Sequence, residues 1–180
     1  MKKQIVYLTG FMGSGKSTIG PILANTIGYE FVDVDKQIET NERRVVNEIF
    51  STDGEKYFRE VEQGVLDDVS KLRWVVVSLG GGTVTRAENL QLVKNSGVLI
   101  YLKADPIQIL QRLRYKTDRP LLKGADGLPL NEEQMMERIR WMIHDRDRFY
   151  SQADVVVKTD DKKIGLTVDE IVKRIRNRIE

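Results

Sequence analysis

The sequence predicts one α/β domain in three layers: a mainly parallel β-sheet with helices on both faces. Short β-rich apolar runs alternate with helical patterns along the chain, as in a sheet built through crossover helices. One of these runs, WVVVSL from Trp74 to Leu79, is apolar almost throughout, which suits a strand buried on both faces of a parallel sheet. A glycine-rich turn, GFMGSGKST from Gly10 to Thr18, falls between the first apolar run and the first helical pattern.

The elements follow in order. QIVYLT is the first strand, and Lys16 to Ile27 reads as a helix closed by Gly28, a residue type suited to a helix C-terminus. YEFVDVD is the second strand, carried to Asp35, and Val45 to Leu72 reads as helices with a break near STDGE. After the strand WVVVSL, Thr85 to Glu88 has capping-box spacing and opens a helix to about Asn95. VLIYLK is the fourth strand, and Asp105-Pro106 puts an N-cap residue before a proline at the first helical position. Beyond Arg114 the pattern dissolves into YKTDRPLLKGADGLPL, a loop whose length in a compact domain points to function or disorder. Asn131 to Tyr150 returns to helix, DVVVKT is the fifth strand, and Thr167 starts a C-terminal helix.

Composition removes several function classes. The 180 residues suit a single domain over 1–180. A formal net charge of +2 is too small for non-specific nucleic-acid or membrane binding, so neither partner is expected. With no cysteine, disulfides, zinc thiolate sites and thiol chemistry are excluded. The glycine turn arrives where a signal peptide would still need its apolar core, and no apolar run approaches the ~20 residues that span a bilayer. A cytoplasmic protein is the expectation. His144, the only histidine, reads as a solvated helix residue, as do Arg138 and Arg140 among their acidic neighbours, while Trp74 and Trp141 read as core or helix-packing residues.

Gly10-x-x-x-x-Gly15-Lys16-Ser17 is a complete P-loop between a strand and a helix. Its glycines let backbone N–H groups face phosphate oxygens, and the helix N-terminus adds positive potential. Gly13, Ser14, Gly15, Lys16, Ser17 and Thr18 therefore form a nucleotide-binding set: Lys16 reaches the β- and γ-phosphates of ATP, and the Ser17 hydroxyl ligates Mg²⁺.

Asp33 and Asp35 end the second strand, on one face by the period-two rule and near the carboxyl edge where open α/β sheets bind ligands. One carboxylate suits Mg²⁺ and the other an acceptor hydroxyl; solvated acids at a strand end are the plain alternative. Arg59 has Glu62 three positions later on a helix, close enough to orient its guanidinium or simply to form a surface ion pair. Gly80-Gly81-Gly82 directly after a buried strand is costly in entropy and allows a ligand close to the backbone.

GFMGSGKST, the DVD pair, GEKYFREVE, SLGGG, RPLL at Arg119 and Arg146-x-x-x-Tyr150 with Ala153-Asp154 occur in one order over nearly the whole chain. In this set the sequence resembles the shikimate kinase family, small P-loop kinases related to nucleoside monophosphate kinases. The resemblance implies a five-stranded parallel sheet in order 2-3-1-4-5, a substrate-binding subdomain over about 33–62 and a mobile lid over about 115–128. It implies that Asp35 contacts the shikimate hydroxyls, including the one phosphorylated, and that Asp33 lies near Mg²⁺. The resemblance likewise implies that Arg59 and Arg146 hold the shikimate carboxylate, with Arg148 a second candidate, and that Gly80, Gly81 and Gly82 contact the ring side. By the same resemblance Arg119 would be the lid arginine on the ATP phosphates, Arg112 or Arg114 would stack on adenine, and Lys163 would lie near the adenine-side loop. The segment Arg146-Asp147-Arg148-Phe149-Tyr150 departs from members with proline and leucine ahead of the tyrosine, and KGADGLPLNEEQ is long for its place.

The expected activity is transfer of the ATP γ-phosphate to the 3-hydroxyl of shikimate by a monomer, with Lys16, Asp35 and Arg119 as catalytic groups. A small polyhydroxylated anion needs fixed positive charge for its carboxylate and acceptors for its hydroxyls, and two arginines with an aspartate supply both. An alcohol is a far weaker acid than an aspartic acid of pKa about 4, so Asp35 orients the hydroxyl and takes its proton late. The alternatives are a gluconate or nucleoside monophosphate kinase, or a nucleotide-binding module without transfer chemistry. The triple glycine and paired arginines count against the first; intact Lys16, Ser17, Asp35 and Arg119 count against the second.

Overall fold

A computed structural model of the chain describes residues 2–114, 130–160 and 162–180. Its strands are β1 (Ile5–Thr9), β2 (Glu30–Asp33), β3 (Val75–Ser78), β4 (Val98–Lys103) and β5 (Val155–Lys158). They form one sheet in order β2-β3-β1-β4-β5, and every neighbouring pair is parallel. The order is the one the family resemblance implies. β1 and β3 are buried along their whole length, whereas β5 at the edge alternates buried and exposed, so a continuous apolar run survives only where both faces are covered.

Eight α-helices occur among the described residues: α1 (Lys16–Ile27), α2 (Val34–Glu42), α3 (Val46–Thr52), α4 (Gly54–Val69), α5 (Ala87–Ser96), α6 (Pro106–Leu113), α7 (Glu132–Tyr150) and α8 (Ile164–Ile175). One face of the sheet packs Tyr7, Val77 and Leu99 against Ile38, Ile49, Phe58, Leu66 and Val93 from α2 to α5. The other packs Leu8, Val76 and Ile100 against Leu23 of α1 and Ile171 of α8. Burying one such side chain contributes about 1.5–3 kcal/mol. A third cluster joins Phe11 of the glycine-rich turn to Ile109 and Leu113 of α6 and Ile139 and Met142 of α7, which seats the turn on a packed base.

Several boundaries obey the cap chemistry. Gly28 closes α1 at φ 73° with its N–H on the Ala24 and Asn25 carbonyls. Asp105 caps α6 by accepting from the Ile107 N–H at 2.8 Å, ahead of Pro106. Asn131 and Gln134 form a reciprocal capping box at the start of α7.

Four expectations need correction. β2 stops at Asp33, and Val34 already begins α2. The Asp33 side chain accepts from the Lys36 N–H at 3.2 Å, so it acts as an N-cap, while Val34 and Ile38, four apart, bury into the core. Asp33 and Asp35 therefore do not share a strand face. Thr85 caps nothing: it ends a 3₁₀ turn over Thr83–Thr85, its hydroxyl donates to the Gly82 carbonyl at 2.7 Å, and α5 starts after Arg86 without a side-chain cap. α8 begins at Ile164, not at Thr167, whose N–H already bonds the Lys163 carbonyl; exposed Ile164 and Leu166 hide that start from a polarity pattern. Trp74 and Trp141 are 48% and 65% exposed, not core residues.

The two chain ends meet. Lys3 forms a parallel bridge with Ile179, and the Glu180 N–H donates to the Lys3 carbonyl at 3.2 Å. This contact lies at the amino ends of the strands. No helix among the described residues is long and apolar enough to cross a membrane.

Candidate active site

β1, β2 and β3 end nearly level: Leu8 pairs with Ser78 and Asp33 with Ser78, while β4 runs on to Lys103 beside Lys158 of β5. The segments that leave the sheet there therefore share one edge. The first is the glycine-rich turn between β1 and α1. Gly10, Gly13 and Gly15 have φ of 143°, 79° and 104°, in the left-handed region open to glycine. A Cβ at Gly10 would also come within 2.5 Å of the Leu102 carbonyl oxygen. Lys16 donates from Nζ to the carbonyls of Gly10 at 2.7 Å and Phe11 at 3.3 Å, so its ammonium is folded over the turn. Ser17 and Thr18 are exposed in the first turn of α1, and Ser14 is fully buried with its Oγ unpaired.

Arg112 of α6 joins this turn to the end of β5: Nη1 donates to the Gly13 carbonyl at 2.9 Å and Nη2 to the Thr159 carbonyl at 3.2 Å. Arg114 instead faces α7, with Glu132 Oε2 at 3.4 Å from its Nη2. Arg112 thus touches the turn directly. Lys163 is exposed at the N-terminus of α8.

The triple glycine after β3 is where the remaining residues converge. A Cβ built at Gly80 would lie 3.0 Å from Asp35 Oδ1, 3.1 Å from Thr83 Oγ1 and 3.3 Å from Glu62 Oε1. One at Gly81 would lie 3.4 Å from Arg146 Nη1, and one at Gly82 only 2.7 Å from Arg59 Nη2. Side chains of three helices thus rest on bare backbone: methyl groups at Gly80 and Gly82 would crowd Asp35, Glu62 and Arg59, whereas one at Gly81 would only touch Arg146.

Arg59, on α4, donates from Nη1 to Glu62 Oε2 at 2.8 Å, and Glu55 lies 3.2 Å from Nη2. Burial alone would lower the Arg59 pKa; the Glu62 and Glu55 carboxylates more than offset this and raise it. The guanidinium is therefore a fixed positive charge. Arg146, on α7, donates from Nη1 to the Gly81 carbonyl at 3.2 Å and lies 5.9 Å from the Phe11 ring centroid. Tyr150, one turn on, donates its hydroxyl to the same carbonyl; burial raises its pKa, opposed by Arg146. Arg148 is exposed and stacks at 4.7 Å on Phe149. The structure brings Arg146, not Arg148, to the glycines.

Asp147 receives the Tyr101 hydroxyl at 3.2 Å and Lys103 Nζ at 3.3 Å, which holds α7 against β4. Asp154 accepts the Leu99 N–H at 2.8 Å, a structural use of the Ala153-Asp154 pair. Arg119 and the segment 115–128 lie outside the described residues. Sequence reasoning missed Thr83, Phe11 and Asp147, which act through partners far away in the chain, and Asn89, which acts through Thr83 six positions before it; none stands in a spacing that betrays it. Among the described residues no three His, Cys, Asp or Glu side chains are grouped to hold a metal ion.

A phosphate cradle thus stands beside a floor flanked by two guanidinium groups and a carboxylate, an arrangement fit for a small hydroxylated anion next to a nucleotide. The family model for shikimate kinase matches residues 12–179. The chain is 46% identical over 175 residues to the shikimate kinase of Chlorobaculum tepidum, covering 97% of this chain and 92% of that one. Among solved structures, the shikimate kinase of Bacteroides thetaiotaomicron superposes with a TM-score of 0.87 at 30% identity, covering 96% and 98% of the two chains. The shikimate kinase of Acinetobacter baumannii in complex with shikimate gives 0.86 at 29% identity, covering 99% and 96%.

Proposed function

The chain belongs to the shikimate kinase family and is an ATP-dependent kinase acting on shikimate, in aromatic amino acid biosynthesis; from that premise we propose which of its side chains carry out the transfer. The observation that carries the assignment is the convergence of Asp35, Arg59 and Arg146 on Gly80, Gly81 and Gly82 beside the P-loop. Arg59 and Arg146 hold the shikimate carboxylate as charge-assisted forks, and the bare glycine backbone lets the ring lie flat between them. Residues about 33–62 act as the substrate-binding subdomain.

Asp35 orients the 3-hydroxyl and takes its proton as the oxygen bonds to phosphorus, yielding shikimate 3-phosphate and ADP. Gly13, Ser14, Gly15, Lys16, Ser17 and Thr18 bind the ATP phosphates, and Lys16 exchanges its carbonyl contacts for phosphate oxygens. Arg112 lies against adenine, supported by its bridge between the turn and β5, with Lys163 at the rim. Arg119 adds a further positive charge at the transferring group.

Mg²⁺ fits the donors present. The Ser17 hydroxyl and the Asp33 carboxylate are hard oxygens, and the lack of a three-acid cluster among the described residues suits an ion that draws most ligands from phosphate and water. When bound it supplies neutralising charge on the phosphates.

The protein acts as a monomer of 20.7 kDa in the cytoplasm; sedimentation at that mass checks the first point. The reading as a whole is tested by coupled release of ADP with shikimate, gluconate, AMP or CMP as acceptor. Turnover should require shikimate, and equal efficiency with gluconate or a nucleotide would overturn the assignment.

A further inference from the structure

Glu62 is fully buried, and both of its carboxylate oxygens are engaged. Oε2 takes Arg59 Nη1 at 2.8 Å, and Oε1 takes the Thr83 hydroxyl at 2.7 Å. Thr83 is itself fully buried, in the 3₁₀ turn that directly follows Gly82. Its backbone is held in turn by Asn89 of α5, whose Nδ2 donates to the Thr83 carbonyl at 3.0 Å. Asn89 is fully buried, and its other amide atom has no partner. A carbonyl can only accept, so this single bond sets which way the Asn89 amide faces.

The geometry points to Thr83 and Asn89 as positioning residues for substrate recognition: they fix the Glu62 carboxylate, and through it aim Arg59 at the acceptor's carboxylate. The inference rests on the reading of Arg59 as a carboxylate ligand. Its physical basis is that a carboxylate held at one oxygen can rotate about its last torsion, whereas one held at both cannot. Arg59 pairs with Glu62 through Nη1 and with Glu55 through Nη2 and Nε; Glu55 is exposed and Glu62 buried, so Glu62 is the fixed anchor and its rotation shifts the guanidinium. The turn that lays glycine under Arg59 therefore also supplies the hydroxyl that keeps it in register, which couples the floor and the fork in one element. Removing the hydroxyl leaves a buried carboxylate oxygen without a donor, a cost that Glu62 relieves by turning away.

The test compares Thr83→Val, which keeps the shape without the hydroxyl, with Thr83→Ser, which keeps the hydroxyl. Each is assayed with shikimate and with shikimate carboxamide, where a neutral amide replaces the carboxylate. Thr83→Val should raise the KM for shikimate about tenfold, leave the KM for ATP and kcat within about twofold, and leave the KM for the carboxamide unchanged. Thr83→Ser should lie within about twofold of the parent for both acceptors, and Asn89→Leu should follow Thr83→Val in a weaker form. An equal rise for both acceptors would mark a general distortion and overturn the proposal, as would an unmoved shikimate KM in folded Thr83→Val. Thr83→Ala gives the same comparison if the valine variant misfolds. Arg59→Lys is measured alongside: a raised shikimate KM there with none in Thr83→Val sinks the positioning role alone, whereas no change in either removes the carboxylate site itself.

Discussion

Asp33 spends Oδ1 on the first turn of α2, whereas Asp35, inside that turn, reaches across to Gly80. Two like residues separated by one position thus face different neighbours, and their substitutions should separate. Asp35→Asn keeps shape but loses charge and basicity, so kcat should fall by roughly 10²-fold or more with ATP binding retained. A wild-type rate with saturating substrates would place the base elsewhere. Asparagine caps helices about as well as aspartate, so Asp33→Asn should leave stability nearly unchanged and appear as an altered Mg²⁺ requirement in a metal titration. At this scale spacing foretold geometry in the glycine-rich turn, whose glycines take left-handed φ, and in Arg59 with Glu62 three positions later. It misled at Asp33 and Asp35, because a capping side chain competes with strand continuation and a string of apolar residues does not display that competition.

Helix α4 carries Arg59 on one face and exposes Gly64 on another, with nothing within 4 Å of the place where a Cβ would stand. Glycine in a helix interior costs about 0.5–1 kcal/mol relative to alanine. Gly64→Ala should therefore stabilise the protein by about that amount in urea unfolding, with the shikimate KM unchanged; a lowered midpoint would mean that the helix has no room for the methyl group, and a raised KM that the glycine serves a contact on binding. Two cap signals show what was legible among the elements. Asn131 and Gln134 satisfy each other and start α7, while Thr85, with similar spacing to Glu88, turns its hydroxyl back on Gly82. The spacing is the same kind of signal in both cases; the glycine turn before Thr85 decides the second, and only the folded backbone reveals that.

Across the whole molecule, the sheet and its helices were readable because burial on both faces writes continuous apolar runs, and the strand order followed from the resemblance of motifs placed along nearly the full chain. Pairings between distant side chains were not readable, and they include buried phenols. Burial raises the pKa of Tyr7, Tyr101 and Tyr150, with Asp147 adding to the effect at Tyr101. A folded-state value above the unfolded value near 10 gives stability that is fully present below pH 10 and is lost as pH climbs through the folded values. The urea midpoint should thus fall as pH rises beyond about 10, with phenolate absorbance lagging that of the unfolded chain; a midpoint unchanged well above that pH would contradict the burial of these rings. The clasp of Lys3 with Ile179 and Glu180 has a different consequence. Since the ends touch at the pole away from the catalytic edge, the order in which the chain is connected is separable from the shape it adopts. A circular permutant that joins the ends by a few glycines and opens between exposed Leu72 and Arg73 cuts no strand and leaves every residue of the phosphate and acceptor sites in its place. It should fold from a new beginning and phosphorylate shikimate with a KM close to that of the parent.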